Sequence, residues 1–150
     1  MRKLIFLFCT LSFFSVKAQS ATDKIKLLGQ AKDTIICFKC GFGKSNTVEK
    51  FRILIQSKKY LEIKQLMLSN NAAENYMAAV TCKKLFTQKK LSLSLTEEKL
   101  IQKIFNSNKN LYTYSNDTYV EIKPIKYYVY SKEDRLIWTQ TKTWLESILK

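Results

Sequence analysis

The chain has 150 residues, 26 Lys and Arg against 12 Asp and Glu, no histidine, four cysteines and one proline. The formal charge of +14 calls for anionic surroundings, while the missing histidine removes the usual general base, the Ser-His and Cys-His nucleophile arrangements and every imidazole metal ligand. These features favour a chain that binds over one that turns substrate over, with no metal and no cofactor expected.

The first residues read as an export signal. Arg2 and Lys3 form a basic start, Leu4 to Val16 is almost unbroken apolar sequence, and Ser15-Val16-Lys17-Ala18 offers small residues at the −3 and −1 positions of a cut after Ala18. An apolar run of about 13 residues is well short of the roughly 20 that span a bilayer as a helix. Residues 1–18 therefore resemble a bacterial Sec signal peptide, and residues 19–150 a single periplasmic or secreted domain. Cys9 leaves with the leader. The cut removes three cations and no acid, so the mature chain stays strongly basic.

Ala21 to Gln30 is a candidate short helix behind the leader. Thr34-Ile35-Ile36-Cys37-Phe38 is β-branched and apolar, a short strand running into the glycine-bearing stretch Lys39-Cys40-Gly41-Phe42-Gly43. Asn46 with Glu49 has the spacing of a capping box, and Val48, Phe51, Leu54 and Ile55 then fall on one helical face. After a break near Ser57, Lys58 to Leu68 continues as a second helix carrying Leu61, Ile63, Leu66 and Met67. Asn71 and Glu74 repeat the capping spacing before a long helix from Ala72 to Lys89, with Tyr76, Met77, Val80, Leu85 and Phe86 and with small residues that let a neighbour approach. Ser94 and Glu97 form a third box, followed by the stripe Leu100, Ile101, Ile104 and Phe105.

Leu111 to Tyr114, the turn Ser115-Asn116-Asp117 and Thr118 to Lys123 predict a hairpin. Pro124 limits Tyr127 to Tyr130 to an edge strand or irregular run, and Ser131 caps a terminal helix with Ile137, Thr141, Trp144, Leu145 and Ile148 on one face. The class is mainly α: a compact helical hairpin bundle with a small C-terminal β-hairpin and a terminal helix. Over about residues 46 to 106 the paired helices resemble HEAT-like hairpins in outline, though helical repeats need at least about three units to bury a continuous core.

Three groups of residues could carry chemistry. Cys37-Phe-Lys-Cys40 has the spacing of a redox dithiol, but a glycine loop follows where a thioredoxin-like helix would start. An oxidising compartment favours instead a structural disulfide from Cys82 to Cys37 or Cys40, stapling the glycine loop to the long helix. Zinc would need a fourth ligand that the mature chain does not offer. Alternation puts Tyr112 with Tyr114, and Tyr128 with Tyr130, on shared faces as a platform for sugar or peptide. Glu49, Glu74, Glu97, Glu98, Glu133 and Asp134 fall in first helical turns, where they complement the helix dipole, which leaves no carboxylate pair marked for acid-base work. Gly41-Phe-Gly-Lys44-Ser45 echoes the end of a P-loop, but Phe38 stands where the first glycine is required.

The mature lysines are spread out, with the doublets Lys58-Lys59, Lys83-Lys84 and Lys89-Lys90 and only Arg52 and Arg135 beside them. Nucleic-acid readers concentrate cations and use Arg for base edges, so no nucleic acid is expected. Envelope proteins and surface glycans are the expected partners, with weak contact to anionic lipid as a further reading.

Overall fold

The computed structural model describes residues 34–39, 45–115, 119–132 and 135–150, and the leader, the Ala21–Gln30 helix and Cys40 to Gly43 lie outside them. In chain order the elements are β1 (Ile35–Ile36), α1 (Asn46–Gln56), α2 (Tyr60–Leu66), α3 (Ala72–Thr87), α4 (Leu95–Phe105), β2 (Asn110–Ser115), β3 (Tyr119–Pro124), α5 (Ile125–Tyr130) and α6 (Leu136–Ile148). The described chain is mostly helical, with one small three-stranded sheet.

The helix starts follow local hydrogen-bond chemistry, with one shift in register. α1 is capped by Ser45, one residue before the expected Asn46. The Ser45 hydroxyl accepts from the Val48 amide at 3.4 Å and from the Cys37 amide at 3.3 Å, while the Ser45 amide donates to the Cys37 carbonyl at 3.2 Å. One serine thus starts the helix and ties it to the end of β1. Val48, Phe51, Leu54 and Ile55 are all buried, as the helical spacing predicts. In front of α3, the Asn71 side chain accepts from the Ala73 and Glu74 amides. Ser69 joins this cap: its hydroxyl accepts the Asn71 amide at 3.1 Å and donates to the Glu74 carboxylate. Ser94 and Glu97, at the start of α4, make the complete capping box.

Two of the lysine doublets turn out to be helix stops. Lys58, after α1, and Lys89, after α3, have φ of 54° and 57°. In each case the next amide reaches back to close a Schellman cap, Lys59 to Leu54 and Lys90 to Leu85, both at 2.9 Å. Glycine usually fills this left-handed position, because a Cβ there crowds the following carbonyl.

Over residues 75–82 α3 is buried around its whole circumference, and Ala73 and Leu85 are inside as well, while Lys83, Phe86 and Thr87 in its last turns are exposed. It packs against α1, α2, α4, α6 and β2. Its alanines admit these neighbours closely, and two of its buried polar residues, Asn75 and Tyr76, are tied to them. The Asn75 amide donates to the carbonyls of Leu66, Met67 and Ser69 at 3.2, 3.1 and 2.7 Å, so one side chain satisfies the end of α2. The Asn75 carbonyl oxygen accepts from Lys109 Nζ at 3.0 Å, which anchors the approach to β2. The Tyr76 hydroxyl meets Thr141 Oγ1 of α6 at 3.0 Å.

β2 is the middle strand. It pairs antiparallel with β3, from Asn110 opposite Pro124 to Ser115 opposite Tyr119, and parallel with β1, Ile35 opposite Tyr112 and Ile36 opposite Thr113. Ile36 and Leu111 join the main core, while Ile35, Cys37 and Tyr114 form a second buried cluster with Tyr112 and Val120 against it.

Two expectations near the C-terminus are corrected. Pro124 does not lead into an edge strand; it is the N-cap of α5. A proline has no amide to lose there, and the first α5 amides find acceptors in the α4–β2 loop, Ile125 on the Lys109 carbonyl and Lys126 on the Ser107 carbonyl. Ser131 ends α5 instead of starting α6, whose N-cap is Arg135. The predicted face of α6 holds, with Ile137, Thr141 and Leu145 buried and Trp144 and Ile148 half-buried.

Asn75→Ala removes the side-chain donor from the Leu66, Met67 and Ser69 carbonyls, of which Leu66 keeps the Ser69 amide, and takes the acceptor from Lys109; it is expected to cost about 2–3 kcal/mol in denaturant unfolding, with an unchanged m-value. Lys58→Gly and Lys89→Gly are each expected to raise stability by about 0.5–1 kcal/mol in the same assay, because glycine relieves the left-handed position.

Candidate functional site

The cysteines do not form the expected staple. Cys82 is a free thiol, fully buried on α3 in the main core. Burial pushes its pKa up to about 12, with Lys64 and Glu97 exerting smaller opposing effects. Cys37 belongs to the other cluster, beside β1, and is only 1% exposed. Its sulfur is disulfide-bonded, and Cys40 lies outside the described residues. The two described sulfurs thus lie in separate apolar clusters, which is why Cys82 is not the bridge. Thiol–disulfide exchange requires a thiolate to reach a sulfur; burial closes off Cys82 and, in this conformation, Cys37.

The tyrosines separate in the same way. Tyr112 and Tyr114 share a face of β2, but Tyr114 is buried against Ile35 and Cys37 while Tyr112 is half-buried. Tyr128 is fully buried on α5, and its hydroxyl meets Thr113 Oγ1 at 3.1 Å, from the opposite side of β2. Tyr130 alone is well exposed, at 51%. The helix at 125–130 breaks the alternation that would have put Tyr128 and Tyr130 on one face.

Three of the described carboxylates join elements. Glu74 pairs with Lys50, linking α3 to α1; Glu97 pairs with Lys64, linking α4 to α2; Glu146 pairs with Lys84, linking α6 to α3. Glu49 and Glu62 pair with Arg52 and Lys59 within a turn of chain. The bond from Lys64 holds the Glu97 carboxyl below the ordinary carboxylate value, and Lys84 does the same for Glu146. A lowered pKa suits a structural anion and not a proton donor at neutral pH.

What sequence reasoning missed is a basic cleft of about 580 Å³ where α1, α3 and α6 end together. Ile55, Ile148, Leu149 and Tyr60 supply its apolar lining, and Lys58, Lys90, Lys150 and Gln56 its polar side. Lys90 Nζ donates to the Leu149 carbonyl at 2.6 Å, fixing the end of α3 to the end of α6. No carboxylate side chain lines the cleft, whereas a smaller groove of about 340 Å³ beside α2 sets Glu62 against Lys50. The doublets Lys58-Lys59 and Lys89-Lys90 were its only trace in the sequence, and they gave no sign that two helix ends, one per doublet, would meet.

Among the described residues no cluster of Cys, Asp and Glu is placed to hold a metal ion, and no helix is long and apolar enough to cross a membrane. No protein-family model matches the chain, and no match was found among curated proteins or solved structures.

Cys82 is expected to stay unmodified by a thiol reagent in the native protein at pH 8 and to react fully once the chain is unfolded, as followed by peptide mass spectrometry.

Proposed function

We propose that the chain is an exported, non-catalytic binding protein, periplasmic or secreted, whose partner is another envelope protein or an acidic surface glycan. The observation that carries this reading is the division of labour among charged side chains. Acids are few, and Glu49, Glu62, Glu74, Glu97 and Glu146 are held in ion pairs. Beyond the leader the cations still exceed the acids by 11, 26 minus 3 against 12, and Lys58, Lys59, Lys83, Lys89 and Lys90 are exposed, a positive field that attracts anionic surfaces. The polar groups that could serve chemistry are used in holding helices together: Asn75 on the end of α2, Tyr76 on Thr141, Tyr128 on Thr113.

Within this proposal α1 to α4 are read as two HEAT-like hairpins presenting a cationic outer surface. The thiol–disulfide alternative, with Cys37 and Cys40 as its pair, receives less support, because Cys37 is shielded from an attacking thiolate.

The mature protein is expected to be retained on a polyuronate matrix and to pass a neutral dextran matrix. Raising the salt from about 0.05 M to about 0.3 M should weaken retention at least about tenfold. Equal retention on both matrices, or retention indifferent to salt, would contradict the proposal.

A further inference from the structure

The basic cleft combines two features that together select a ligand. Its volume of about 580 Å³ lies in the range of roughly 300–1,000 Å³ typical of small-molecule sites. Its walls divide by polarity. Ile55 and Leu149 are buried, Ile148 and Tyr60 are half-buried, and the lysines are exposed around them.

The cations are available. Lys58 has no carboxylate partner among the described residues, and its backbone is fixed by the Schellman cap while its side chain is exposed. Lys90 gives one of its ammonium donors to the Leu149 carbonyl, and an ammonium has three. The helix ends bring roughly half a negative charge each, which the lysines outweigh. A bare inorganic anion would leave the apolar wall wet, and an uncharged apolar molecule would bury ammonium groups without an acceptor.

We infer that this cleft binds an anionic amphiphile, a single acyl chain ending in a carboxylate or phosphate. The head lies between Lys58 and Lys90, and the first carbons of the chain lie on Ile55, Ile148 and Leu149. This goes beyond the glycan or protein partner proposed above and does not depend on it, since glycan retention and amphiphile binding are read in separate assays.

The test is a methyl NMR titration of the mature chain with sodium decanoate, decanol and inorganic phosphate. Decanoate is expected to shift the Ile55, Ile148 and Leu149 methyls saturably, with decanol and phosphate at least about tenfold weaker. Lys58→Gly suits the left-handed backbone, so it removes a cation while preserving the end of α1. Combined with Lys90→Gln it should weaken decanoate binding at least about tenfold. If Lys90→Gln disturbs the fold, Lys58→Gly alone decides, with an expected loss of about threefold.

Decanol binding as tightly as decanoate, shifts centred on the exposed Leu61 and Leu68 instead, or a folded variant that binds like the parent would each overturn the assignment. Vesicles containing phosphatidylglycerol provide a further arm. Competition with decanoate would support the cleft with a lipid headgroup as its source, and decanoate binding without competition would support it with a free amphiphile.

Discussion

Everything else in this fold depends on one constraint: from Asn75 to Cys82 α3 is enclosed on all sides yet carries Asn75 and Tyr76, whose polar groups its neighbours satisfy. Asn75 is the clearest case. It lies 3% exposed, completes the end of α2 with three bonds and receives Lys109 with a fourth. Left unpaired, such a buried amide would cost more than any single apolar contact contributes. The angle of the α2–α3 turn and the path into β2 are therefore set by the same side chain. Tyr76 plays the corresponding role toward α6 through Thr141, whose hydroxyl also returns to the Ile137 carbonyl at 2.7 Å. Thr81 Oγ1 is the one described side-chain atom of this kind buried without a partner.

That constraint shapes the functional reading. Among the described residues Tyr76, Cys82 and Tyr128 are sealed in the core and Glu74, Glu97 and Glu146 are held between elements, and the proposed function rests on the positive charge outside them. Where three helices end together the charge gathers around an apolar wall, and this gives a diffuse property a place. Lys90 works in both roles, since the bond that joins α3 to α6 also sets a cation at the edge of the cleft.

Local signals in the sequence were read well and non-local ones poorly. The faces of α1, α4 and α6 follow from apolar spacing, and the box at Ser94 and Glu97 from residue types three positions apart in the chain. The same rule put the α1 cap on Asn46, because Ser45 and Asn46 both suit the position; a contact with Cys37, eight residues earlier, favours Ser45. Pro124 suits a strand end and a helix start equally, and acceptors at Ser107 and Lys109 decided for the helix. That choice then removed Tyr128 from any surface platform. The parallel pairing of β1 with β2 links residues more than seventy positions apart, and no local pattern announces it. Lysine at a left-handed helix stop is hidden for the opposite reason: local preference points to glycine or asparagine, and the sequence departs from it twice.

The most direct test of this account is native-state hydrogen exchange resolved to single amides. If α3 is the enclosed centre on which the other elements depend, its amides from Tyr76 to Leu85 exchange only through global unfolding, with protection equal to the full unfolding free energy, while α2 and α5 open at lower cost. Faster exchange in α3 than in α2 or α5 would contradict the account, because the helix would then be a dependent element and not the one that holds the others.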